Sequence, residues 1–233
     1  MITKEKLDKL VEKYETREFF YDDPIGIPNK FSDKKDKEIA GFIASLVAYG
    51  RREIFIKKLN QLFGIAQNEP YNFIMNFEPK ILGDFNYRFG KPEDFSQIFE
   101  IIKLLYKQDG GLEELFKYGY QNSVEKNMFI PVTDYFYSRA KDKEALGFKF
   151  MIPDARKGSA MKRMCMYLRW MVRKGEVDFG IWDFMPTSDL FMPLDTHVAR
   201  ISREIGLLKR NANDFKAVLE LTENLKSSIQ KTP

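Results

Sequence analysis

Apolar residues recur along this chain at the three- and four-residue spacing of amphipathic helices, and no segment alternates at the two-residue spacing of a half-buried strand. The pattern is clearest at 36–50, where alanines between the large apolar residues allow another helix to approach closely. The same spacing predicts helices at 52–66, from Pro92 to the Gly110-Gly111 pair, and at 112–122, 159–173, 196–206 and 213–229. The sequence therefore predicts an all-α protein.

Proline and glycine separate these helical segments. Their clusters predict irregular segments at 18–31 and at 147–159. Near the N-terminus, Thr3 is the predicted cap of a first helix. The apolar face of that helix would consist of Leu7, Leu10, Val11 and Tyr14.

Length and composition are those of a globular protein with a packed interior. The chain has 233 residues, of which 44% are hydrophobic, with 21 Phe and 11 Tyr. We expect residues 1–233 to form a single helical domain or two lobes that share a core.

Several classes of protein are disfavoured by what the chain contains. Cys165 is the single cysteine and His197 the single histidine, so we expect no disulfide, no iron–sulfur cluster, no metal and no cofactor. No apolar run approaches the roughly 20 residues that span a bilayer, and the first residues do not resemble a signal peptide. We therefore expect a cytoplasmic protein with no membrane association.

The net charge of +4 is unevenly distributed. Seven basic residues and no acidic residue lie between Arg156 and Lys174. Such a local excess can neutralise phosphates even in a nearly balanced chain, although a solvated helix face has the same composition. Within it, Ser159 is the predicted N-cap of the 159–173 helix, whose free N–H groups would suit a phosphate. An ordinary helix cap is the alternative.

A second polar position lies at the start of the 196–206 helix. Asp195 stands where an N-cap belongs, and the predicted apolar face of the helix is Val198, Ile201, Ile205 and Leu208. A capping carboxylate has a fixed direction, which suits a group that stabilises positive charge during a reaction. A purely structural cap is again the alternative.

The segment Pro193-Leu194-Asp195-Thr196-His197-Val198 resembles the catalytic-aspartate segment of the helix-hairpin-helix (HhH-GPD) DNA glycosylase superfamily, which includes endonuclease III and the 8-oxoguanine glycosylases. The match covers about 14 residues and continues through Arg200 to Ile205-Gly206-Leu207. The superfamily's Gly-x-Gly hairpin is absent here. Met161-Lys162-Arg163, 33 residues before Asp195, is most similar to the lysine helix of the archaeal 8-oxoguanine glycosylase branch.

The similarity to glycosylases comes with a broader one. Strings such as Ala48-Tyr49-Gly50-Arg51 and Leu168-Arg169-Trp170-Met171 resemble an uncharacterised bacterial family along most of the chain. Members of that family continue beyond the position equivalent to Pro233, so this resemblance implies a further C-terminal helix.

The glycosylase resemblance implies two helical lobes flanking a cleft, with the hairpin, the lysine helix and the aspartate helix at 150–208. It implies that a monomer excises a damaged base, for example an oxidised one, from double-stranded DNA. Lys162 would attack the sugar as a neutral amine and form a Schiff base, and Asp195 would stabilise the developing charge. Residues expected at the DNA backbone are Lys157, Gly158, Ser159, Arg163, Arg169, Arg173, His197 and Arg200. Candidates for holding the everted base are Tyr49, Trp170, Trp182 and Phe184, although aromatic residues more often form the core.

The sequence leaves two alternatives to an enzymatic function. The same fold could bind nucleic acid without catalysis, as the divergent hairpin and modest charge would allow. It could also act on a small molecule or a protein partner, because fold does not dictate function.

Overall fold

In a computed structural model, which describes residues 4–16, 18 and 23–230, the protein is mainly helical. The described residues contain no β-strand, and their few backbone bridges are isolated. The prediction of an all-α protein is therefore confirmed. None of the helices in the described ranges is long and apolar enough to cross a lipid bilayer.

The chain divides into two compact units. The central unit, Asp22–Ala155, is continuous in sequence, whereas the terminal unit combines Met1–Tyr21 with Arg156–Pro233. The central unit contains α2 (Lys34–Val47), α3 (Arg52–Ile65), α4 (Pro70–Met75), α5 (Pro92–Gln108), α6 (Leu112–Gln121), α7 (Phe129–Arg139) and α8 (Leu146–Met151). The terminal unit contains α1 (Lys4–Tyr14), α9 (Lys162–Val172), α10 (Thr196–Glu204) and α11 (Phe215–Gln230).

Helix α2 forms the core of the central unit. Every residue from Glu38 to Val47 is buried, because α3, α4, α6 and two 3-10 turns pack around it. Asp33 begins the helix by accepting hydrogen bonds from the N–H groups of Lys35 and Asp36. The buried carboxylate of Glu38 accepts a 2.7 Å hydrogen bond from Tyr106 of α5, which gives one of its oxygens a partner within the core.

Helix α9 contributes more buried residues to the terminal unit than any other helix described in that unit. Seven of its residues are buried, including Cys165, Leu168 and Trp170. After α9 the chain folds back against it, and the N–H groups of Phe179 and Trp182 donate to the carbonyls of Trp170 and Met171.

Most predicted helices are found within two residues of their expected bounds, but the helix predicted at 159–173 begins only at Lys162. Ser159 pairs with Asp214 in a backbone bridge, and the carbonyl of Gly158 accepts from the N–H of Phe215. These backbone groups are therefore committed to the start of α11. The segment predicted to be irregular at 147–159 also contains most of α8.

Two predicted apolar faces are correct only in part, since Leu208 is buried and Leu7 and Val198 are half-buried, whereas their other members are exposed. Helix α10 turns Ala199 and Ser202 inward and leaves Ile201 and Ile205 exposed. Helix α1 leaves Leu10, Val11 and Tyr14 exposed, while its predicted cap, Thr3, lies outside the described residues. The spacing of apolar residues gives the period of a helix, and the surrounding fold decides which side is covered.

Candidate active site

Lys162 and Asp195 meet in the terminal unit, although 33 residues separate them in the chain. Lys162 is the first residue of α9 and Asp195 is the N-cap of α10. The Lys162 Nζ lies 3.2 Å from the Asp195 Oδ2, and the side chains are 40% and 33% exposed. The amine and the carboxylate are therefore paired and also reachable from solvent.

The Asp195 carboxylate is held by the helix that it begins. Its Oδ1 accepts hydrogen bonds of 2.9 Å from the N–H groups of His197 and Val198, which confirms the predicted cap. Partial burial acts to raise the pKa of Asp195, but the Val198 N–H, the charge and hydrogen bond of Lys162 and the His197 N–H outweigh it. The pKa of Asp195 is therefore lowered, and the carboxylate is ionised at neutral pH.

The start of α9 is built differently from the expected capped terminus. Met161 occupies the N-cap position with a left-handed backbone (φ +51°), and no side chain caps the helix. The Ser159 Oγ instead accepts a 3.4 Å hydrogen bond from the N–H of Met161. Ser159 is therefore not the N-cap of α9. The phosphate site that was expected at a helix start capped by Ser159 is not formed by this residue.

Two of the arginines predicted at the DNA backbone contact carboxylates of the protein. Arg169 Nη2 lies 3.3 Å from the Asp178 Oδ1, and Arg173 Nε donates to the other oxygen of the same carboxylate. Arg173 also contacts Glu15 at 2.8 Å. The Asp178 side chain has no exposed surface, so the charges of both arginines are largely compensated within the protein.

The other residues predicted at the DNA backbone lie at or near the surface. Lys157, His197 and Arg200 are exposed, and Gly158 and Arg163 are half-buried. Arg200 pairs with Glu204 at 2.7 Å, one turn along α10.

The base-pocket candidates occupy different environments. Trp170 is 0% and Trp182 is 2% exposed, so both rings lie in the core of the terminal unit. Phe184 is half-buried, with its ring centroid 5.7 Å from that of Trp182. Tyr49 belongs to the central unit. Phe184 is therefore the candidate with accessible ring surface in the unit that contains Lys162.

Sequence reasoning missed Asp178 and Glu15 as partners of the basic segment. A usable signal was present for Asp178, which stands between Val177 and Phe179 shortly after a segment with seven basic and no acidic residues. No comparable signal marks Glu15. Within the described residues, no group of three or more His, Cys, Asp or Glu side chains could hold a metal ion.

The fold and this site define a class: an all-α protein with a lysine–aspartate pair at two helix N-termini. The chain belongs to the family described as Protein of unknown function (DUF2400), whose model matches residues 23–233. No curated protein and no solved structure shows a significant match to the chain.

Proposed function

We propose that this protein is a DNA glycosylase with AP-lyase activity, and that its terminal unit has a helix-hairpin-helix glycosylase-like arrangement. The observation that carries the proposal is the 3.2 Å contact between Lys162 and Asp195. The resemblance in sequence concerns the same two residues, which lie 33 positions apart in the chain. Double-stranded DNA containing a damaged base is the proposed substrate.

The reaction uses the lysine as a nucleophile. After Lys162 loses its proton, its Nζ forms a bond to C1′ of the sugar while the C1′–N bond to the base breaks. The electron pair of that bond leaves with the base, which takes up a proton. The nitrogen at C1′ then gives up a proton to solvent, and the C1′–O4′ bond breaks as O4′ takes up a proton and the C1′=N bond of the protonated Schiff base forms. Transfer of a C2′ proton to solvent breaks the C3′–O bond, and the 3′-phosphate leaves with the electron pair of that bond.

Asp195 suits the accompanying electrostatic role. Because two backbone N–H groups hold its Oδ1, the carboxylate needs little reorganisation as positive charge develops on the sugar. The Oδ2 faces the Lys162 amine, so the same group can position the nucleophile. A salt bridge with only a structural role would also bring these atoms together, and the experiment must separate the two roles.

Borohydride trapping on a duplex with one abasic site tests the proposal. The Schiff base forms at C1′ whichever base was lost, so this substrate does not require the lesion to be known. We expect the wild type to be trapped covalently and Lys162→Gln to lose at least 90% of the trapped product. The control Lys216→Gln removes an exposed lysine from α11 and should be trapped like the wild type.

The outcomes separate the alternatives. Equal trapping of Lys162→Gln and wild type would exclude Lys162 as the nucleophile. Salt-sensitive duplex binding without trapping would support a nucleic-acid-binding protein without catalysis. If the wild type is trapped, a panel of duplexes carrying different damaged bases then identifies the base that is released.

A further inference from the structure

Three separate segments of the central unit bring aromatic rings together at its surface. The Tyr49 ring lies 4.6 Å from Phe150 and 4.8 Å from Tyr87, measured between centroids. Phe89 lies 4.8 Å from Phe150 on the other side. We name Tyr49, Arg88, Phe89 and Phe150 the Tyr49 surface. Its members come from the segment that follows α2, a tight turn and α8.

The turn presents Phe89 to solvent. Tyr87 and Gly90 exchange two backbone hydrogen bonds of 2.9 Å, and Arg88 adopts a positive φ of 52° between them. Phe89 is 43% exposed, whereas Tyr87 is 2% exposed. An exposed phenyl ring on a turn closed by two hydrogen bonds loses little conformational entropy when it contacts a ligand.

Other contacts fix the turn against the neighbouring segments. The Tyr49 hydroxyl donates to the carbonyl of Tyr87 at 3.2 Å, and the Tyr87 hydroxyl donates to the carbonyl of Tyr49. A Cβ at Gly147 of α8 would overlap the carbonyl of Phe89, so α8 lies directly against the turn. The turn that carries Phe89 is therefore fixed from two sides.

Positive charge accompanies the rings. The guanidinium carbon of Arg88 lies 5.9 Å from the centroid of the Tyr49 ring. Gly50 has a φ of +85°, and a Cβ there would overlap the Arg88 guanidinium, so glycine leaves the space that this side chain occupies. Arg51 and Arg52 follow and are exposed, with Arg51 in a loose 3.4 Å contact to Glu53.

We infer that the Tyr49 surface binds an unpaired base of a single-stranded nucleic acid. Phe89 stacks on the base, and Arg88 with Arg51 contacts the adjacent phosphates. Accessible ring surface beside guanidinium groups is the combination that single-stranded nucleic acids require, since every base has a π-face and every linkage a negative charge. Bases within a duplex are stacked on one another, so an unpaired base is the better fit. This inference does not depend on the proposed glycosylase activity.

Fluorescence anisotropy with 5′-labelled 20-nucleotide dT and rU strands tests the inference at low salt. We expect both strands to bind, because stacking on a base does not depend on which sugar carries it. We expect a 20-base-pair duplex to bind this surface more weakly. Phe89→Ala should bind the strands about 5- to 100-fold more weakly than the wild type, because it loses the ring on which one base stacks. Phe89→Trp should bind as well as the wild type or better. Arg88→Gln should weaken binding. It should also lower the slope of log Kd against log salt by the amount expected for the loss of one phosphate contact.

Tyr118→Ala is the matched control, because Tyr118 is an aromatic residue of the same unit that is 55% exposed on α6. It should bind the strands like the wild type. Absence of wild-type binding to both strands, or equal losses in Phe89→Ala and Tyr118→Ala, would overturn the inference. Binding of only dT or only rU would support it and identify the source of the strand. Borohydride trapping on the abasic duplex is scored separately from strand binding, so failure of the glycosylase proposal and failure of this inference are distinguishable.

Discussion

Glu15 binds Arg173 across 158 positions of the chain, with Oε1 and Nη2 2.8 Å apart. The same guanidinium donates to Asp178, whose carboxylate also contacts Arg169. A residue that follows α1 is thereby linked to the end of α9. This ion-pair network accounts for two of the arginines that the sequence assigns to DNA contacts.

The buried carboxylate of this network should matter for stability. We expect Asp178→Asn to lower the free energy of unfolding by about 1–3 kcal/mol, because Arg169 and Arg173 would lose their shared buried counter-charge. The effect stays below that of a fully buried ion pair, since burial raises the pKa of Asp178 and so offsets part of what its charge contributes. Urea unfolding followed by circular dichroism measures the effect. The control Asp183→Asn changes an exposed aspartate five residues away and should have an effect below about 0.5 kcal/mol. Equal effects would contradict the structural role given to Asp178.

Substitution of Asp195 should have a pH-dependent effect. Asp195→Asn keeps an oxygen for the two N–H groups but removes the charge that faces Lys162. We expect it to lower the free energy of unfolding by about 0.5–1 kcal/mol at pH 7.

The sign of the pH dependence follows from the lowered pKa of Asp195. Because the folded protein binds this proton more weakly than the unfolded chain, the carboxylate stabilises the fold above the ordinary aspartate range, near pH 4. That contribution is lost as the pH falls through the lowered pKa of the folded state. The difference between wild type and Asp195→Asn should therefore shrink between pH 7 and pH 3 in urea unfolding experiments. A difference that stays constant with pH would count against the charge of Asp195 as its source.

Two helical glycines of the central unit should respond to alanine in opposite directions. A Cβ at Gly119 of α6 would lie 2.5 Å from the carbonyl oxygen of Met128 and 2.9 Å from a methyl group of Val132 in α7. We expect Gly119→Ala to lower the free energy of unfolding by about 1–3 kcal/mol through overpacking. Outside its chain neighbours and its own helix backbone, Gly64 of α3 has no atom within 4 Å of such a Cβ. Gly64→Ala should therefore raise the free energy of unfolding by about 0.5–1 kcal/mol. Thermal unfolding of both variants tests the close packing of α6 on α7. A Gly119→Ala variant more stable than the wild type would contradict that packing.

Cys165 should report on opening of the terminal unit. The thiol is buried in α9, and burial raises its pKa far above the ordinary cysteine range. Because it is the single cysteine of the chain, one labelling rate describes it. We expect a thiol reagent to label the folded protein at least 100-fold more slowly than the urea-unfolded protein, as measured by absorbance of the released thiolate. Rapid labelling under native conditions would show that the interior of α9 is accessible.

The proposed pair illustrates what a sequence resemblance can supply. The similarity to glycosylases points to Lys162 and Asp195, and helix-capping rules predict the local geometry of Asp195. Their contact depends on how α9 and α10 pack, which no local rule determines. The prediction of Ser159 as a cap failed for the related reason that its backbone pairs with Asp214, 55 positions further along the chain.

The sequence by itself determined the helical class, most helix bounds and the capping role of Asp195, since these depend on residues within a few positions of one another. Only the tertiary structure decided that Arg169 and Arg173 contact carboxylates, that Trp170 and Trp182 are core residues, and that α10 turns Ala199 inward. It also brought Tyr49, Phe89 and Phe150 together from three segments. Interactions between residues close in sequence determine where a helix forms and where it ends. The partners of its side chains depend instead on how distant segments pack, and the spacing of apolar residues carries no information about that packing.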